Sequence, residues 1–227
     1  MGTILISQII TKASQILFDV NNVKWPQTEL LGWVNSGQRA VVAAIPEAAS
    51  NVQVMQLTAG ARQLLPSGNW LLLQATRNMG TNGATPGRAL KRVDQSVLEE
   101  TNPNWSSQPQ QSAPVAYMVN ARDRAGFYVS PPADGTGWIE VILSLNPQEQ
   151  AAVTSAIYVL DIYEPALIDY VLWRALSKKS PYADNMAAAG YYQSFASLIG
   201  INTTAIGKLD AETGQVAALQ PQGQGSA

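Results

Sequence analysis

Neither cysteine nor histidine occurs anywhere in the 227 residues. Their absence removes disulfides, thiolate nucleophiles, zinc sites built on Cys or His, Ser-His-Asp triads and any imidazole acid or base. Only carboxylate, Lys, Tyr or Ser-Lys chemistry is left, and no cofactor or metal site is expected. Charge is also scarce: 13% of residues are ionisable and the net charge is −2. Bulk electrostatics therefore give no sign of nucleic-acid affinity. Amides supply the polarity instead, with 19 Gln and 13 Asn outnumbering the 14 basic plus 16 acidic residues. Long apolar runs are missing too. Trp70–Leu73 and Val141–Leu143 fall far short of the ~20 residues that span a bilayer, so no membrane partner is expected. The start of the chain, Met1 to Ile6, has no basic region and does not read as a signal peptide.

Periodicity divides what is present into three textures. Ile6, Ile9, Ile10, Ala13, Ile16, Leu17 and Val20 recur at helical steps and predict one amphipathic helix. After a turn at Asn21-Asn22, Pro26 suits a first helical position, and Leu30, Leu31, Val34, Val41, Val42 and Ile45 predict a second helix ended by Pro46. Trp25 and Trp33 are expected to close the packing between them. From about 50 to 160 the chain is punctuated by proline and glycine. Strands are expected at 52–57, 63–65, 70–76, 89–93, 115–119, 127–130 and 138–145. The last is the clearest, because Ile139, Val141, Leu143 and Leu145 alternate with Trp138, Glu140, Ile142 and Ser144. Pro131-Pro132-Ala133-Asp134-Gly135 reads as the turn of a hairpin joining the last two strands. Ser96–Glu100 reads as a helical turn, and 102–114 as an exposed loop. Helices return after 160. One follows Pro165, with Leu167, Ile168, Val171, Leu172, Ala175 and Leu176 inward; another is capped at Ser180-Pro181, with Ala188, Tyr191, Phe195, Leu198 and Ile199 inward.

The fold class is therefore α+β. Helices from residues 1–48 and 160–202 form a four-helix bundle around an inserted antiparallel β-sandwich or barrel, residues 49–159. Residues 203–227 contain no aromatic and are dominated by Gly, Gln and Ala, so alone they cannot bury enough to fold. They read either as a solvated end or as an extended arm whose anchors, Ile206, Leu209, Val216 and Leu219, meet a partner.

Chemistry-bearing constellations are weak. Glu99-Glu100 would point about 100° apart on a helix. Asp161, Glu164 and Asp169 flank a helix start, where the dipole favours acids. Gly80–Gly87 is glycine-rich, but no Lys-Ser/Thr follows it and no helix begins there, so a hairpin loop is the better reading than a phosphate cradle. Arg77, Arg88, Lys91, Arg92, Arg122 and Arg124 fall in the β-rich region. A single-strand nucleic-acid surface is conceivable there, but ion pairs between subunits or a solvated strand face suit the acidic balance better. Arg88, Arg92, Arg122 and Arg124 are the candidates for contacts between subunits.

Several stretches in order carry a family resemblance. They are Lys24-Trp25-Pro26 with Glu29–Gly37; Leu57-Thr58-Ala59-Gly60 with Gln63–Pro66; Arg88–Asp94; Asn102–Trp105; Tyr117; Phe127–Pro132; and Tyr170–Lys178. Over roughly residues 4 to 202 this order resembles the head-to-tail adaptor proteins of tailed bacteriophages, especially short-tailed ones related to the tubular tail protein A group. The resemblance implies a structural virion protein without catalytic residues. It implies a ring of twelve copies beneath the portal protein, extending the channel for double-stranded DNA and docking the next tail, or nozzle, protein. Such a protein sits at the head–tail junction of the virion and is assembled in the host cytoplasm. The competing expectation is a β-sandwich binding module, for carbohydrate or a host surface, on a helical scaffold. It would need co-facing aromatics between 50 and 145.

Overall fold

The computed structural model describes residues 2–120 and 122–200. Five helices, α1 (Ile6–Ile16), α2 (Gln27–Ala44), α3 (Gln95–Thr101), α4 (Glu164–Ser177) and α5 (Asn185–Leu198), accompany seven strands. These are β1 (Ser50–Gln56), β2 (Gly60–Leu64), β3 (Asn69–Asn78), β4 (Lys91–Arg92), β5 (Ala116–Met118), β6 (Gly126–Ala133) and β7 (Trp138–Leu145).

Two hydrophobic clusters form. The first gathers Ile6, Ile9, Ile10 and Ala13 of α1, Leu30, Val34 and Val41 of α2, Leu167, Val171 and Ala175 of α4, and Phe195 of α5. These are the apolar stripes expected from the 3.6-residue period, and α4 touches α1, α2 and α5. Gly37 lets α2 approach α4, since a Cβ there would lie 3.1 Å from the Tyr170 ring and 3.2 Å from Leu167. Trp25 is 3% exposed and its Nε1 donates to the Ala175 carbonyl at 3.2 Å; Trp33 is half-buried against the same cluster. The chain after β7 closes this body. The amides of Ile6 and Ser7, unsatisfied at a helix start, donate to the carbonyls of Ser155 and Val153. Asn35 and Gln38 on α2 hold the same segment through Gln150 and the Tyr158 amide.

The second cluster takes Leu72, Ala75, Ile139, Val141 and Leu143 from a three-stranded sheet, order β1-β7-β3, and Tyr117, Phe127, Val129 and Ala133 from a four-stranded sheet, order β2-β6-β5-β4. Among the described residues neither sheet closes into a barrel, and β4 runs parallel to β5 rather than antiparallel.

Other expectations are also corrected. No hairpin joins the last two strands, because β6 and β7 lie in different sheets. Pro131 and Pro132 belong to β6. They lack ladder donors, but they fall where the β2 pairing slips between Gly60 and Arg62, and the Pro132 carbonyl accepts from the Gln111 amide. Most of 102–114 is exposed, as expected of a loop, but Trp105 within it is buried edge-on to Tyr128. Asp184, not Ser180, caps α5, accepting from the amides of Met186 and Ala187. Finally, α1 ends at Ile16, so Ile16 and Val20 are exposed, as is Leu198 on α5.

Candidate functional site

Most of the candidate carboxylates have local partners: Glu99 accepts from Gln95 Nε2, while its neighbour Glu100 is exposed. Asp161 does not cap α4. It accepts from Thr3 Oγ1, the Thr3 amide and the Ile4 amide at 2.7, 2.7 and 3.1 Å, and these bonds hold its carboxyl below the ordinary range. Glu164 pairs with Lys12, and Asp169 accepts from the Ser194 hydroxyl. Asp94 caps α3 through the Ser96 hydroxyl and amide, which lower its pKa. No three acidic residues converge to hold a metal among the described residues. The Gly80–Gly87 stretch is a loop closed by the bonds Gly87 N to Asn78 O and Asn78 N to Arg88 O.

The four candidate arginines do not form one surface. Arg88 precedes β4 and Arg92 lies in it, at one edge of the four-stranded sheet. Arg122 and Arg124 sit in the turn before β6. Asp123 between them bonds Arg62 of β2, the opposite edge, at 2.8 Å. All four are exposed, and none takes part in an ion pair among the described residues. The Arg124 guanidinium lies 5.3 Å from the Trp70 ring centroid, a cation–π contact within the chain. Ile206, Leu209, Val216 and Leu219 lie outside the described residues.

Reading the sequence for stripes missed the surfaces that the structure leaves apolar. At one end of the helical body the α1–α2 turn exposes Phe18, Val20 and Val23. At the other end, Ile45, Ile162, Tyr163, Ala166 and Leu198 line a groove of about 500 Å³. Hydrogen bonds within the Phe18 turn hold its backbone. Asp19 is buried and accepts from the amides of Val23, Lys24 and Trp25 at 2.9, 2.8 and 3.0 Å. Burial pushes the Asp19 carboxyl up, and these bonds from Trp25, Val23 and Lys24 outweigh it and bring it below its usual value. Ser14 donates to Asn22 at 2.6 Å across the same turn. A clue was available: Asp19 precedes Asn21-Asn22 and a run of donors, the pattern of a side chain folded onto its own backbone.

The helical body is made from both ends of the described chain, with a β insertion between them, and it carries exposed apolar residues at two places. The family model for the SU10 adaptor protein matches residues 5–219, and the chain belongs to that family. The match bears out the head-to-tail phage adaptor expected from the order of motifs. No curated protein matches the chain.

Proposed function

We propose that the protein forms a ring, of twelve copies, below the portal protein of a phage of the short-tailed, tubular tail protein A-like type. Family membership over residues 5–219 carries this reading. The ring extends the channel through which double-stranded DNA passes without sequence recognition, and it docks the downstream nozzle protein. It sits at the head–tail junction of the virion after assembly in the host cytoplasm. An amide-rich, charge-poor chain suits such packing, because side-by-side contacts then desolvate few ions. The helical segments, 1–48 and 160–202, form the portal-side wall, and the insertion 49–159 projects from it. Residues 203–227 act as an arm, with Ile206, Leu209, Val216 and Leu219 meeting the portal or a neighbour; the family match runs through all four. Arg88, Arg92, Arg122 and Arg124 are offered to neighbouring subunits.

Electron microscopy of the purified protein, alone and mixed with portal-bearing heads, tests the assignment. Twelvefold rings on the portal vertex are expected. A chain that stays monomeric and leaves heads undecorated overturns it. Truncation after Gly200 tests the arm separately: weaker docking is expected, and unchanged docking makes the arm dispensable.

A further inference from the structure

We infer that the α1–α2 turn is a contact between copies, with Phe18, Val20 and Val23 of one subunit seated in the Ile45–Ile162–Leu198 groove of the next. The inference rests on the ring reading and gives it a specific interface.

The argument begins with what Phe18 gives up. The end of α1 is a Schellman motif: the Phe18 amide donates to Gln15 O and the Asp19 amide to Ser14 O. Phe18 occupies the position that glycine usually fills, at φ +53°, where a Cβ is disfavoured. Its ring is also 88% exposed, and Val20 and Val23 beside it are 67% and 81% exposed. Folding of the chain favours neither the residue type nor its exposure here. A partner that covers the ring accounts for both. The turn is also prepared for docking, since Asp19 and the Ser14–Asn22 bond fix it before any partner arrives.

The groove is the matching surface. Ile162 is 78% exposed at its rim. The two features cannot satisfy each other within one chain. The turn lies beside Leu172 and Leu176 near the end of α4, the groove beside Tyr163 and Ala166 at its start, about 15 Å of helix rise apart. Two different patches at opposite ends of one body make a head-to-tail contact, which closes into a ring when the rotation between copies closes and runs on as a filament when it does not. Charge agrees in sign. Lys24 is exposed beside Val23, and Glu47 is exposed next to the groove residue Ile45. Neither takes part in an ion pair among the described residues.

The cysteine-free chain provides a clean test. The double variant Phe18→Cys/Ile162→Cys, oxidised under assembling conditions, should give a ladder of covalent multimers, while each single variant gives none. A disulfide-linked dimer formed by the single variant Phe18→Cys overturns the head-to-tail geometry. In parallel, Phe18→Gly should keep or raise the melting temperature of the monomer while weakening self-assembly about thirtyfold or more. Normal assembly of Phe18→Gly, with no ladder from the double variant, overturns this interface and leaves the ring intact. Loss of portal docking with normal rings assigns the turn to the portal and overturns the copy-to-copy contact. Failure of the wild type to self-associate under any condition is a failure of the ring reading itself.

Discussion

The helical body and the β insertion solve the same problem, burial of apolar area, with segments of opposite provenance. The helical cluster joins residues 6–49 to residues 157–199 across more than a hundred intervening positions; the β cluster is made entirely from residues 57–143. The ion pairs respect the division. Lys12–Glu164 and Lys178–Glu29 tie the two halves of the helical body, whereas Arg62–Asp123 and Arg77–Glu140 stay inside the insertion. The regions meet at a narrow seam, where Trp70 Nε1 donates to Ser144 Oγ at 2.9 Å and Ser144 Oγ donates to Pro46 O at 2.7 Å. Closure between the two ends of the described chain thus belongs to the helices, while the insertion fills its core with its own residues, even where strands as distant as β1 and β7 pair.

The largest effect should come from Trp25→Ala, which removes a buried indole and its bond to Ala175. A loss of ~3–5 kcal/mol is expected in denaturant unfolding. Combined with Leu143→Ala in the other cluster, the two losses should add to within about 0.5 kcal/mol. Marked non-additivity would show that the two cores act as one.

Next comes the seam. Ser144→Ala leaves the half-buried Pro46 carbonyl and Trp70 indole without this partner and should cost ~1–3 kcal/mol. It should also separate the unfolding of the two regions, seen as probe-dependent midpoints; a single coincident transition at the wild-type midpoint contradicts the seam's role.

A smaller, pH-dependent effect concerns Asp161, whose carboxyl is depressed by its bonds to Thr3 and Ile4. A depressed folded pKa means the tie is fully present above the ordinary carboxylate value of about 4 and is lost as pH falls through the lower folded value. Amide exchange of Thr3 and Ile4 should therefore accelerate in acid, and Asp161→Asn should abolish that pH dependence. The smallest effect is expected from Lys178→Ala. Its partner Glu29 and Lys178 itself are both well over a quarter exposed, so the loss should stay within ~1 kcal/mol.

Much of this division is legible in the sequence, because helical periodicity is carried by many residues at once. The stripes of α2 and α4 read correctly for that reason. Errors cluster where a few residues decide. Val20 continues the α1 period, but the Asp19 carboxylate captures three amides and ends the helix first. Pro131-Pro132 has turn composition, yet a slipped ladder accommodates both prolines in a strand. Ser180-Pro181 looks like a cap, but Asp184 outcompetes it with two amide bonds. The open apolar surfaces were the least readable of all, since exposure is a property of what fails to pack and leaves no period behind.

One further consequence follows from the pairing of β1 with β7. Their register sets Ser50 opposite Ser144, so the chain enters and leaves the insertion through adjacent positions. Opposed residues on paired strands stand only about 5 Å apart, a gap that a tight turn spans. The two connections to the insertion thus run side by side, with Trp70 packed on the helical cluster near them. Loops of the insertion far from those two serines can be lengthened or shortened without rerouting any helix. Changes of that kind leave the frame formed by α1, α2, α4 and α5 as it is.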